Sequence, residues 1–241
     1  MALATRDVTE PLHLLVAHLG ATILSGGQMP GFRPMQVRVG DATDGMTVEL
    51  LEPWEPTAND FLARFLDRHG DGPHHLTFKA DNFDEALDAV RATGREPVGI
   101  NRADPMWLEA FVLPRDAFGT VVQIAHQTPE YPFESRFAFA RRHGPEGAPV
   151  WWPPVGDRAP DAVRLRQVVL GVADLPGAYA FFGRLLGGSV EAHGGDFVEL
   201  RWPGGAQLRL ERRDGPHGII RLELDGPPCD LQIAGTRFVA P

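Results

Sequence analysis

One pattern recurs along the chain: a strand, a helix, then three strands joined by tight turns. In the first copy, residues 1–5 read as a short apolar strand. Residues 9–19 read as a helix, with Thr9 placed to cap it and Gly20 to stop it. Strands follow at 22–25, 35–39 and 46–51, the last preceded by the hairpin signal Asp44-Gly45. A short helix is expected over 58–68. The second copy has a strand at 74–80 and a helix that starts after Asn82 and ends near Thr93-Gly94. Its remaining strands fall at 97–101, 106–113 and 120–126. The third copy places a strand at 165–172, a helix over 176–186 capped by Asp174, and strands at 189–192, 197–202 and 207–211. A fourth copy begins at 217–224. It lacks its helix, because Asp225-Gly226-Pro227-Pro228 leads almost directly to a last strand over 231–239.

An internal repeat of roughly 50–70 residues is the signature of stacked supersecondary units. Three strands per helix with hairpin turns favour an antiparallel α+β sheet over a doubly wound parallel one. The expected fold is therefore α+β, with tandem βαβββ modules forming curled antiparallel sheets and a degenerate fourth module. Residues 1–127 form a first domain of two modules, 128–160 a proline- and tryptophan-rich linker, and 161–241 a second, degenerate domain. Trp151-Trp152 in the linker reads as an interdomain or oligomer contact, or as a ligand lid.

Composition narrows the functional classes. Lys and Arg number 23 against 32 Asp and Glu, a net charge of −9. A polyanion would be repelled, so no nucleic acid partner is expected. No run approaches the ~18 apolar residues that span a bilayer, so no membrane partner is expected. The single cysteine, Cys229, rules out an intrachain disulfide and a multi-thiolate zinc site. A cytoplasmic location is the expectation consistent with that.

Three segments resemble the vicinal oxygen chelate superfamily, which includes glyoxalase I, methylmalonyl-CoA epimerase, bleomycin-resistance proteins and extradiol dioxygenases. Met46-Thr47-Val48-Glu49-Leu50-Leu51-Glu52-Pro53 is similar to its "V-E-L-x-x-P" third-strand ending. Gly72-Pro73-His74-His75-Leu76-Thr77-Phe78 resembles the "G-x-H-H-x-x-F" opening of its second module. The stretch from Pro114 through Gly119 to Gln123 and Ile124 resembles its final strand. In such a fold two modules curl into a cup, and four strands each point one ligand at a divalent metal. By position, the resemblance implies the metal ligands Glu49, His75 and Gln123. It places the fourth ligand one residue before Met1. In the second domain the matching positions are Gln167, Arg209 and Gly218, which imply no metal there, and that half walls the cup or supports a dimer.

Strand alternation fits this reading. Glu49 and Leu51 share one face of their strand and Glu52 takes the other, while His75, Thr77 and Lys79 share a face. A carboxylate, an imidazole and an amide oxygen suit Zn, Ni, Co, Mn or Fe. Glu49 is the catalytic candidate, because the superfamily often has a glutamate where Gln123 stands and an amide is no base. Trp107, Glu109, Phe111 and Thr77 are the substrate-binding candidates; His126 reads as structural. The reaction implied is that of a lyase or isomerase, glyoxalase- or epimerase-like, acting on a small oxygenated substrate through a metal-stabilised enolate. The alternatives are a metal-free binding or resistance protein of the same fold and, ranked third, an extradiol-type dioxygenase. A homodimer is the expected assembly.

Overall fold

The computed structural model describes residues 1–40, 45–128, 151–159 and 163–241. The interior of the expected linker thus lies outside the described residues. Among the described residues the elements run β1 (Ala2–Ala4), α1 (Thr9–His13, continuing as a π-type segment Leu14–His18), β2 (Thr22–Gly26), β3 (Gly31–Gly40), β4 (Gly45–Trp54) and α2 (Phe61–His69). Then come β5 (Gly72–Lys79), α3 (Phe83–Ala92), β6 (Val98–Asp104), β7 (Trp107–Val112) and β8 (Val121–Gln127). The third copy gives β9 (Arg164–Val172), α4 (Leu175–Tyr179, continuing as a π-type segment Ala180–Leu185), β10 (Ser189–His193), β11 (Phe197–Arg201) and β12 (Gln207–Arg212). The fourth gives β13 (Gly218–Asp225), β14 (Cys229–Ile233) and β15 (Thr236–Ala240).

The expected α+β architecture is present, in two mixed sheets of eight and seven strands. Pairing is not wholly antiparallel, however. The hairpins β2–β3, β3–β4, β7–β8 and β11–β12 are antiparallel, but β1 pairs β4, β5 pairs β8 and β9 pairs β12 in parallel. The helix after each first strand carries the chain across the sheet, so the module's last strand returns beside its first in the same direction. In the degenerate copy no helix stands between β13 and β14, yet β13 still pairs β15 in parallel. The single final strand expected there is split by the turn at Ala234-Gly235 into β14 and β15, which pair with each other. Gly235 has φ +65°, and a Cβ on it would meet the Asp71 carbonyl oxygen at 1.9 Å, so only glycine fits.

By packing, the described chain divides into two compact units. One comprises Met1–His74, the described part of 133–166 and Arg221–Pro241; the other comprises His75–Thr128 and Gln167–Ile220. In the first unit, Ala2, Ala4 and Leu51 pack with Leu62 and Leu66 of α2, and Phe32, Phe61 and Phe65 close the edge of this cluster. Leu12, Leu15 and Leu19 of the first helical segment are fully buried, as the helical stripe required. Thr9 is not the cap of α1, because Val8 holds that position and makes no side-chain cap bond. Instead the Asp7 carboxylate accepts the Thr9 N–H at 2.8 Å. Asn82 and Asp174 do cap α3 and α4, each accepting a backbone N–H three residues on.

The first unit is fixed by a buried carboxylate. Glu52, 6% exposed, accepts the Val8 N–H at 2.8 Å and the Arg33 Nε–H at 2.7 Å. Arg33 sits opposite Glu52 in the β3–β4 register and lies between the rings of Trp54 and Trp151, 5.0 and 4.4 Å from their centroids. The Trp pair therefore docks on module one. Trp152 fills the space over Gly26, where a Cβ would meet its ring at 2.5 Å. Two further bonds tie the segment down: Arg158 reaches the Gly20 carbonyl, and the Ala159 N–H donates to Val16 O at 3.2 Å. No helix among the described residues is long and apolar enough to cross a membrane.

Two predictions follow from this packing. Glu52→Ala strands a buried N–H and a guanidinium, and should lower unfolding stability by about 3 kcal/mol in denaturant titration. His74, set among Phe61 and Phe65, has its pKa pushed down by burial to about 4 from the ordinary 6.5. A depressed folded-state value means that the unfolded chain takes up the proton first. Stability should then fall as pH drops from 6.5 towards 4, and His74→Gln should make that fall shallower in pH-dependent melts.

Candidate functional site

In the first unit the site is a row across three strands. The β2–β3 register sets Ser25 beside Gln36, and the β3–β4 register sets Gln36 beside Glu49. Ser25 Oγ donates to Gln36 Oε1 at 3.0 Å, and Gln36 Nε2 donates to Glu49 Oε1 at 3.0 Å. The relay has one chemically sensible direction, since a carboxylate accepts and an amide nitrogen donates. It holds a half-buried carboxylate in a fixed orientation. On the other side β1 runs parallel, and the Glu49 N–H donates to Met1 O at 2.8 Å. Burial pushes the Met1 ammonium below the ordinary amine value, against the upward pull of the Glu49 charge.

The second unit gathers a different network. Thr77 and Gln123 are partners in the parallel β5–β8 register, and Gln123 faces Phe111 across β7. Thr77 Oγ1 donates to Gln123 Oε1 at 2.6 Å, and Gln123 Nε2 donates to Glu109 Oε2 at 2.7 Å. Trp107 Nε1 adds a second donor to the same oxygen at 3.2 Å, and Asn101 Nδ2 reaches Glu109 Oε1 at 3.3 Å. Glu109 is thus a carboxylate that accepts from three N–H donors. His75 is 5% exposed, and its ring stands edge-on to Phe111 at 6.3 Å. The expected substrate-binding residues Thr77, Trp107, Glu109 and Phe111 therefore come together with His75 and Gln123 in one unit. Glu49 lies in the other unit.

This arrangement bears on the expected metal. Gln123, one of its three ligands, has its oxygen taken up by Thr77 and its nitrogen turned to Glu109. Among the described residues no group of three or more His, Cys, Asp or Glu is arranged to hold a metal ion. Amide oxygens fall outside those residue types, so the expected set Glu49, His75 and Gln123 for Zn, Ni, Co, Mn or Fe is left untested by it. Within its own unit, Gln123 bridges Thr77 and Glu109. At the corresponding place in the third copy, Arg209 pairs with Glu199 and Glu211 at 2.6 and 2.7 Å and lies 3.9 Å over the Phe197 ring. Gly218 has φ +110°, and a Cβ there would meet the Gly119 carbonyl oxygen at 2.6 Å, which explains the glycine without a ligand role.

Ser25, Gln36 and Asn101 are not evident from sequence. Their signal is register: Gln36 with Glu49, and Arg33 with Glu52, lie equal steps from the Gly40–Gly45 pair beside the hairpin. Counting outward from an Asp44-Gly45 turn would instead set Gly40 opposite Glu49, so the hairpin signal alone does not give these pairs. His126 is structural as expected, its Nδ1 lying 2.9 Å from the Ala80 carbonyl oxygen.

A model of the Glyoxalase/Bleomycin resistance protein/Dioxygenase superfamily matches residues 1–111. The match falls on the segment that carries two of the motifs resembling the vicinal oxygen chelate group. No curated protein sequence matches the chain. Among solved structures, a mutant form of 4-hydroxymandelate synthase from Streptomyces coelicolor superposes with TM-score 0.57 at 16% identity, covering 92% of this chain and 68% of that one. A methylmalonyl-CoA epimerase from the same organism, in complex with 2-nitronate-propionyl-CoA, is 21% identical over 53% of this chain and 92% of its own, with TM-score 0.46. The Mycobacterium tuberculosis methylmalonyl-CoA epimerase is 21% identical over 54% and 86%, with TM-score 0.45. At such identities the likeness concerns the fold alone. The synthase comparison extends that fold along nearly the whole chain.

Gln123→Glu would set a second carboxylate against Glu109. The pair's upper pKa must rise, since two close carboxylates resist double ionisation. The penalty is absent at low pH, where one carboxyl keeps its proton, and complete above the raised value. The variant should therefore melt close to wild type at pH 4 and well below it at pH 8.

Proposed function

We propose that the chain is an isomerase- or lyase-type enzyme that moves a proton on a small oxygenated substrate, with Glu49 as the proton carrier. The observation that carries this reading is the Ser25–Gln36–Glu49 relay, which orients a half-buried carboxylate from behind. A general base needs that fixed geometry before its pKa matters. Glu49 would take a proton from a carbon next to a carbonyl, leaving an enolate, and return it to the same or a neighbouring carbon. The match of residues 1–111 to the Glyoxalase/Bleomycin resistance protein/Dioxygenase superfamily model supports this reading.

A second reading, metal-free binding without turnover, is favoured by one observation: Gln123 and Glu109 are already satisfied by protein partners. Exchange chemistry separates the two. In D2O, a panel of α-hydroxy ketones and malonyl-type thioesters is followed by NMR for loss of the carbon-bound proton. The enzyme reading expects catalysed exchange on at least one compound, reduced about 100-fold or more in Glu49→Gln. Saturable binding with no exchange, or exchange indifferent to Glu49, supports the binding reading instead.

A further inference from the structure

A cavity lies in the first unit, between α2 and the start of β5. It measures about 410 Å³ and is lined by Phe61, Arg64, Phe65, Arg68, His69 and His74. Helical spacing explains the lining. Phe61, Arg64, Phe65 and Arg68 stand at i, i+3, i+4 and i+7, one stripe of α2, while Leu62 and Leu66 turn into the core. On β5, alternation sends His74 away from His75 and towards this stripe.

Its chemistry is unlike the rest of the surface. The protein carries a net charge of −9, yet among the described residues no carboxylate lines this cavity. Two guanidiniums one helical turn apart repel each other, a cost that an anion between them would reverse. Asp60 lies 3.4 Å from Arg64, and both side chains are more than half exposed, so that pair is weak. The walls are rings: Phe65 lies 4.7 Å from His74 and 4.9 Å from His69, and Phe61 lies 5.9 Å from His74. The Phe61 and Phe65 rings are only partly buried against the core cluster. His74 contributes a ring packed edge-on to Phe61 and Phe65. Guanidiniums recognise planar oxyanions in a fork, and ring walls recognise a planar ring by edge and face contacts.

We propose that this cavity binds a small aromatic anion, a planar ring bearing a phosphate or a carboxylate. The site uses none of the residues assigned to proton transfer, so it stands or falls separately from that function.

The test is titration of the full chain with phenyl phosphate and with benzoate, followed by calorimetry and by amide NMR shifts on residues 61–74, with inorganic phosphate as the ringless control. The proposal expects saturable binding of at least one aromatic anion with Kd below about 1 mM, at least about tenfold tighter than inorganic phosphate. Which of the two binds tighter tells phosphate from carboxylate. Arg68→Gln and Arg64→Gln, both at exposed positions, should each weaken binding about tenfold while leaving the melting temperature close to wild type. Binding no tighter than phosphate alone, binding unchanged in both variants, or no shifts along α2 would overturn it.

Discussion

Glu52 is the charge around which module one is assembled. A buried carboxylate is costly unless every lone pair is met, and here it is met by the Val8 N–H from the start of α1 and by Arg33 from β3. The pair's net contribution to stability is modest, since desolvation offsets most of the attraction. Its effect is geometric. It pins the register of β3 against β4 and brings the entry of α1 to the same point. Through Arg33 it also gives Trp151 a cationic surface to cover. Glu49, three residues earlier on β4, inherits its place from that register. The same hairpin that sets Arg33 opposite Glu52 sets Gln36 opposite Glu49.

Much of this was legible in sequence because it depends on period and punctuation. The strand–helix–strand–strand–strand repeat, the caps at Asn82 and Asp174 and the missing helix after Asp225 are local signals, and the structure follows them. What sequence did not carry is pairing across strands. Alternation placed Glu49 and Glu52 on opposite faces but could not tell that Gln36 and Arg33 would meet them. Nor does a residue's own strand reveal parallel pairing. The expected antiparallel sheet became mixed because β1 and β4, like β5 and β8, meet only after the chain has crossed over a helix. The cap expected at Thr9 failed for a related reason: Asp7 supplies the acceptor two residues earlier.

The candidate site shows the same division. The sequence gathered Thr77, Trp107, Glu109, Phe111, His75 and Gln123 by position, and the second unit does bring them together. Their roles depend on which atoms meet. Gln123 reads as a metal ligand when only its strand position is known. In the structure its two ends are held by Thr77 and Glu109, partners that its strand position does not reveal. An amide is suited to meeting Glu109 and a glutamate is not, because a carboxylate beside Glu109 would be repelled.

We propose that Gln123 serves Glu109 rather than a metal. The most direct measurement is elemental analysis of the purified full chain after incubation with Zn, Ni, Co, Mn and Fe(II) and removal of excess. Less than about a tenth of an equivalent of any of them should be retained. One equivalent of metal, lost in Gln123→Ala or His75→Ala, would contradict it.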